Sequence, residues 1–370
     1  MFVVSIGYGR QMFDEHNNER KRMELCSAEL DELHMIIFTL RSDNLHIVEA
    51  KNRLKIHPTN SKNKFTMIFD ACKIASQIIS TTSKKVIVTT QDACEAGLVG
   101  YYLQQKFRVH LTVQEHADIF LQNHWRRESL LNQVRYRLGL FILKRADTVR
   151  TVSRRITNKM KKMNLDANLT QLPVAIDPAA FTPVSSAVKS EGTFTFLTMG
   201  RFVKQKNLTL LLKAFHKVWQ VCPQARLIIV GRGPEAEKMQ FIIKDQYSEV
   251  VPVTCIDWTN NPADLMSKAD AYVLSSNYEG WGRVLIEAML MKLPTVTTDV
   301  GCVGEIVKPE EHALVVPVND ETALAKAMTE IAVDKEKYKQ IKTNLNDVEA
   351  NTVNNLSIQD YGKKWAQSLK

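Results

Sequence analysis

The chain has 370 residues, 45% hydrophobic and 24% charged, a composition that can bury sizeable cores and a length that suits two domains of roughly 150–200 residues. No apolar run approaches the roughly 20 residues of a membrane span, and six scattered cysteines without a Cys-x-x-Cys pair argue against a disulfide scaffold or metal cluster. The net charge of +9 is local: residues 101–170 hold 14 Lys and Arg against 5 Asp and Glu, which matches the whole excess and points to an anionic partner on one face of one domain.

In chain order, Met1-Phe-Val-Val-Ser-Ile6 is too short an apolar run for a signal peptide and lacks its basic leader, so it reads as a buried first strand. Further strands are expected at 35–39, 46–49, 86–90, 109–114, 148–152, 194–199, 226–231, 252–256, 271–275 and 294–298. Most are apolar throughout rather than alternating, which suits parallel strands covered on both faces. Helical patterns fill 19–30, 64–80, 95–106, 127–144, 207–220, 234–246, 283–292 and 321–332. Strand-then-helix alternation implies doubly wound parallel sheets. Pro173, Pro178 and Pro183, followed by Ser185 to Gly192, mark 173–193 as a linker. Two such sheets either side of a linker give a cleft between strand carboxyl ends, where ligands of open α/β sheets bind.

The richest segment is 271–298. Strand Ala271–Ser276 leads into the loop Asn277-Tyr-Glu-Gly-Trp-Gly282 and then into a helix beginning at Arg283. A glycine-bearing loop at a helix start offers free backbone N–H groups and a positive dipole end, suited to a diphosphate. Gly280 and Gly282 allow close backbone approach, while Glu279 and Glu287 can accept hydrogen bonds from sugar hydroxyls on either side of a bound pyrophosphate. A solvated surface helix is the bland alternative, weakened by the two loop glycines and the buried strand.

Residues 278–306, from Tyr278-Glu-Gly-Trp-Gly-Arg-Val-Leu-Ile-Glu287 to Val303-Gly-Glu-Ile306, closely resemble the donor signature of glycosyltransferase family 4. The likeness extends over most of the chain and is strongest in its second half. It implies the GT-B fold: α/β, with two Rossmann-like domains whose parallel sheets face a central cleft. It also implies retention of anomeric configuration and a nucleotide-sugar donor. In that family the first glutamate of Glu-x7-Glu contacts the transferred sugar, here Glu279, and the second holds the ribose, here Glu287. Trp281 belongs to the same donor loop. Backbone amides of Arg283, Val284 and Leu285 would bind the distal phosphate.

A second loop, Gly200-Arg-Phe-Val-Lys-Gln-Lys-Asn207, supplies Arg201 and Lys206. Departure of a nucleoside diphosphate needs positive charge, which Arg gives in bidentate form and Lys as a point; both match the family's phosphate ligands. Asn207 is expected to cap the next helix. Gly231 and Gly233 of Gly231-Arg-Gly-Pro234 form a tight turn that the resemblance places near base and ribose. Asp257 stands where the family often carries glycine. In the first half, Gly7-Tyr-Gly9 follows the first strand but fails the dinucleotide fingerprint because position 12 is Met; the resemblance puts this turn beside the donor phosphates. His116 resembles the family's histidine near the sugar, and Asp92 and Glu95 are acceptor-side candidates. Trp125-Arg-Arg to Lys144-Arg145 mixes arginines with apolar residues, the pattern of an interfacial helix, so 125–145 is a candidate contact with an anionic membrane surface. Without a reader motif, nucleic acid is not expected.

The domains expected are 1–180, with a C-terminal helix in 355–370 packing back on it, and 190–352. The first would bind a lipid-linked or saccharide acceptor and the second the nucleotide-sugar donor. The reaction expected is metal-independent retaining transfer without a cofactor, with the leaving phosphate itself taking the acceptor's proton, in the cytoplasm or peripheral to its membrane. An epimerase or phosphorylase on the same scaffold, and a non-catalytic nucleotide-sugar-binding subunit, are the alternatives.

Overall fold

The computed structural model describes residues 1–120, 123–183, 192–246, 251–259, 261–346 and 358–370. The chain divides into two compact units, Met1–Ala175 with Leu356–Lys370, and Ile176–Asn355.

The first unit is built on eight strands. They are β1 (Phe2–Gly7), β2 (Glu32–Ile37), β3 (Val48–Glu49), β4 (Leu54–Pro58), β5 (Val86–Thr90), β6 (His110–Glu115), β7 (Thr148–Thr151) and β8 (Asn168–Gln171), in the order β3-β4-β2-β1-β5-β6-β7-β8. Only β3 and β4 pair antiparallel. β1, β5 and β6 are buried along almost their whole length, as strands covered on both faces must be. β2 begins earlier than its apolar run because His34 is buried between Glu32 (2.8 Å) and His57 (3.0 Å).

The helices are α1 (Asn18–Ala28), α2 (Thr66–Ser80), α3 (Glu95–Phe107), α4 (Asn123–Arg127), α5 (Leu130–Leu143) and α6 (Arg154–Lys162). The helix expected at 127–144 is α5, which starts at Leu130 because the Ser129 hydroxyl caps it by accepting from the amide of Asn132, and the short α4 precedes it. The C-terminal helix, Ile358–Gln367, joins this unit: Tyr361, Trp365 and Leu369 share one buried cluster with Met23, Cys26 and Leu30. A Cβ on Gly362 would lie 3.0 Å from the Leu25 carbonyl, so glycine permits the close helix crossing.

The second unit holds six parallel strands, β9 (Phe194–Met199), β10 (Ala225–Val230), β11 (Val253–Ile256), β12 (Ala271–Leu274), β13 (Thr295–Thr298) and β14 (Ala313–Val316), ordered β11-β10-β9-β12-β13-β14. Its helices are α7 (Leu208–Val221), α8 (Ala236–Gln246), α9 (Pro262–Lys268), α10 (Arg283–Leu290), α11 (Glu321–Val333) and α12 (Lys335–Asn346). β9 is central, so the loop after it leaves the sheet where the strand order turns back, the position at which open α/β sheets bind ligands. α10 stops two residues short of the expected 292 because Lys292 turns left-handed (φ 55°).

Candidate functional site

Three loops meet at the carboxyl ends of β9, β10 and β12. The first two are joined through their backbones: Gly200 N–H donates to Val230 O (3.0 Å), Phe202 N–H to Arg232 O (2.8 Å) and Glu235 N–H to Phe202 O (3.0 Å). This contact explains the glycines. A Cβ on Gly231 would sit 1.9 Å from Gly200 O, and one on Gly233 would sit 2.3 Å from Phe202 O. Both residues have positive φ, 149° and 157°. The Gly-x-Gly pair therefore seats the Arg201 loop.

The third loop is stitched to the first by side chains. Ser275 Oγ donates to Lys206 O (2.8 Å), and Asn277 takes part three times: its amide donates to Gln205 O (2.7 Å), its Nδ2 to Lys204 O (3.1 Å), and its Oδ1 accepts from Asn207 Nδ2 (3.0 Å). Asn207 thus occupies the cap position of α7 without capping it: the residue is left-handed (φ 47°) and its side chain turns to Asn277.

Glu279 lies at the centre, 8% exposed. Its Oε1 accepts from Lys206 Nζ (2.6 Å) and Ser276 Oγ (2.7 Å), and its Oε2 from Gln205 Nε2 (3.3 Å). A buried carboxylate with a cation and two neutral donors is fixed in orientation. Gln205 and Ser276 carry no recognisable signal in the sequence: Gln205 reaches Glu279 only once the two loops pack, and Ser276 only through the local turn that follows β12. Gly301 is a further such residue: with φ 61° it lies under the loop, where a Cβ would be 2.6 Å from Trp281 O, and Cys302 N–H donates to that same carbonyl (2.9 Å).

Beyond Glu279 the chain passes buried Gly280 and Trp281 to Gly282, whose left-handed conformation (φ 75°) starts α10 with no side-chain cap. The first-turn amides of Arg283 and Val284 are left to solvent or a ligand, while the Leu285 amide closes on Gly282 O (2.9 Å). Arg283 Nη2 lies 3.4 Å from Glu287 Oε1. Burial pushes the Glu287 carboxyl up, and the charges of Arg283 and Lys206 oppose that rise. Trp281 Nε1 and Arg283 Nε are buried donors without a partner among the described residues. Arg201 is exposed and makes no ion pair there either. A cavity of about 10 Å³ lies beneath the loop, lined by Thr198, Gly200, Lys206 and Leu274. That is room for one water.

In the first unit, Gly7 ends β1 buried against Gln91, whose side chain a Cβ would meet at 2.7 Å, and Gly9 adopts φ 138°. His116 follows the end of β6, exposed, with Nε2 3.2 Å from Gln114 Oε1. Asp92, Cys94 and Glu95 place possible ligand atoms within 4.8 Å of one another. Those atoms are already engaged. Asp92 Oδ1 accepts from the amides of Cys94 (2.7 Å) and Ala96 (3.3 Å) at the start of α3, and Glu95 is bound by Arg135 (2.6 Å). Burial raises Asp92 to about 6 and raises the Cys94 thiol as well. The trio is a helix start rather than an open metal site.

α5 buries Asn132, Gly139, Ile142 and Leu143. Leu130 (79% exposed), Leu131 and Val134 (62%) point to solvent beside exposed Arg137, Lys144 and Arg145. The apolar residues at the start of α5 therefore face outward, while Ile142 and Leu143 near its end are buried.

Residues 184–347 match the model of the family Glycosyl transferases group 1. That match spans most of the second unit. An uncharacterised glycosyltransferase of Methanocaldococcus jannaschii is 25% identical over 321 residues, 85% of this chain and 83% of its own. In other curated relatives the chain spans only 26% and 39% of their length. Sucrose-phosphate synthase from Thermosynechococcus elongatus superposes with a TM-score of 0.82 at 20% identity, over 99% of this chain and 97% of that one. Anabaena HepE in complex with UDP and glucose gives 0.77 at 16% identity, over 100% and 99%. The fold is GT-B.

Proposed function

We propose that the protein is a retaining, metal-independent glycosyltransferase of the family 4 type. It would move a hexosyl group from a nucleoside-diphosphate sugar to a saccharide or lipid-linked acceptor bound mainly by the first unit. The Lys206–Glu279 contact at 2.6 Å carries this reading. It ties the cationic loop to the carboxylate loop and fixes both before any ligand arrives, the preorganisation that electrostatic catalysis requires.

In this reading the amides at the start of α10, with Arg201 and Lys206, bind the diphosphate and stabilise the charge that develops on it as the glycosidic bond breaks. Glu279 accepts from hydroxyls of the transferred sugar and Glu287 from the ribose. His116 of the first unit contacts the sugar. Gly7 and Gly9 shape the turn beside the phosphates, and Gly231 and Gly233 hold the Arg201 loop in place. The UDP complex of the GT-B neighbour HepE supports the donor class. The test is a transfer assay in EDTA with the anomeric configuration of the product read by NMR. An α-product from an α-donor is expected; an inverted product, or strict metal dependence, overturns the mechanism. Isomerised sugar without transfer would favour an epimerase.

The outward face of α5 supports a further part of the reading, contact with an anionic membrane surface. Exposed leucines and valine can enter the headgroup boundary while arginines meet lipid phosphates. Among the described residues no helix is long and apolar enough to cross a membrane. Co-sedimentation with anionic vesicles at low salt is expected, reduced by Leu130→Ser with Val134→Ser; equal recovery with and without vesicles rejects the contact.

A further inference from the structure

The donors on Glu279 divide unequally between its two oxygens. Among the described residues, Oε1 accepts from Lys206 Nζ (2.6 Å) and Ser276 Oγ (2.7 Å), and Oε2 from Gln205 Nε2 alone, at 3.3 Å. A carboxylate offers about four lone-pair sites, two to each oxygen. Oε1 is therefore filled, and Oε2 keeps one site open. The side chain is 10% exposed, so it is not sealed from a ligand.

The three donors differ in how firmly they are held. Gln205 Nε2 also donates to Tyr278 O (2.9 Å). Tyr278 O and Glu279 Oε2 are both acceptors, so only the NH2 end of the carboxamide satisfies them, and both of its hydrogens are used. The main chain of Gln205 is fixed as well, because its carbonyl accepts from the amide of Asn277 (2.7 Å). Ser276 is buried, gives its one hydroxyl hydrogen to Glu279, and is tied to β13 through Thr298 Oγ1, which donates to its carbonyl (2.7 Å). Lys206 is the mobile member. Its flexible stem runs over Gly200, where a Cβ would lie 3.1 Å from Lys206 Cε. Its ammonium carries three hydrogens, so it can turn to a phosphate while Gln205 and Ser276 keep the carboxylate where it is.

We propose that Gln205 and Ser276 are positioning residues, which aim the open lone pair of Glu279 Oε2 at one hydroxyl of the transferred sugar. This rests on the sugar contact proposed above for Glu279 and narrows it from several hydroxyls to a single one. The ligand recognised is a sugar with a hydrogen-bond donor at that one carbon. Removal of that hydroxyl leaves a buried acceptor unmet, which is how a polar site rejects the analogue that lacks the group.

The test is calorimetry on the full chain with the nucleotide sugar that the wild type binds, its monodeoxy analogues, and the nucleoside diphosphate alone. Gln205→Glu keeps the size of the side chain but sets an acceptor against two acceptors, and Gln205→Met keeps the length without the donor. Both are expected to weaken the nucleotide sugar at least tenfold, Gln205→Glu more than Gln205→Met, and to leave the nucleoside diphosphate within about twofold. Ser276→Ala is expected to act in the same direction by a few-fold. One deoxy analogue should bind the wild type at least tenfold more weakly than the parent donor, and bind Gln205→Glu within about twofold of it, because the two changes remove one interaction. Equal losses for the diphosphate and the nucleotide sugar would show that Gln205 only seats the loop, and would overturn the proposal. So would nucleotide-sugar affinity unchanged in both Gln205 variants, or a deoxy penalty relieved at two positions or at none. Wild type that binds no nucleotide sugar overturns the transferase reading itself; wild type that binds while the variants are indifferent overturns only the role of Gln205 and Ser276.

Discussion

In the second unit Lys206, Gln205 and Ser276 all hydrogen-bond Glu279. In the first, Glu115 Oε2, Asp118 Oδ1 and the Arg150 guanidinium are buried without partners among the described residues. Both regions place ionisable groups near strand carboxyl ends, yet one satisfies them internally and the other does not. An internally satisfied set is rigid before binding, and a ligand joins or replaces existing contacts. An unsatisfied set is costly until a partner arrives. The donor loops are therefore expected to be sensitive to shape, and the interior of the first unit to charge and pH.

The sharpest way to break this contrast is at glycine. Gly231→Ala drives a Cβ to 1.9 Å from Gly200 O at a positive φ, which should cost about 3 kcal/mol or more in urea unfolding and remove donor binding. Gly9→Ala, where the nearest atom is 3.7 Å away, meets only the φ penalty of about 1 kcal/mol. Equal costs at the two positions would mean that the loops are not seated on each other as described.

Next come the charges. Lys206→Ala and Glu279→Gln should each lower turnover about 10²–10³-fold, with Arg201→Ala lowering it at little cost in stability because its side chain is exposed. Turnover within about twofold of wild type in Arg201→Ala and Lys206→Ala would remove the leaving-group assignment.

The first unit is probed by pH. Burial pushes the Asp118 carboxyl up to about 8 against the pull of Arg155 and Lys159. The folded chain then keeps a proton that the unfolded chain loses near pH 4. This contribution to stability is present in acid and is lost as pH rises toward 8, by at most about 1.4 kcal/mol per pH unit. Asp118→Asn should flatten the curve of unfolding free energy against pH between 4 and 8. Parallel curves for variant and wild type would show that the buried carboxyl is not protonated.

What the sequence reveals follows from which interactions are local. β5, β9 and β12 are apolar on both faces and are legible to within a residue. β4 alternates buried and half-buried residues and ends on Pro58, β8 is a polar edge strand, and β14 is only four residues long; none was expected. α6 was missed because five of its nine residues are Lys or Arg and only Ile156, Thr157 and Met160 are buried. The donor loop is conspicuous because its glycines and glutamates are contiguous. Gln205 is not, because its role depends on a contact across some seventy residues, and Ser276, three residues before Glu279, is an ordinary strand-end serine until the loop turns it onto the carboxylate. Arg150 looks like an ordinary strand arginine until its burial is known. The candidate membrane contact at 125–145 is legible as arginines mixed with apolar residues, whereas the exposure of Leu130 and Val134 is not, because the sequence does not say which side of α5 packs on the domain.

The central claim is that the Glu279–Glu287 loop, the start of α10 and the Arg201–Lys206 loop together hold a nucleoside diphosphate. Calorimetric titration with UDP-, GDP- and ADP-sugars tests it most directly. One nucleotide series is expected to bind, and Glu287→Gln and Lys206→Ala are each expected to weaken it at least tenfold, about 1.4 kcal/mol. No binding in any series, or binding that both variants leave unchanged, would contradict it.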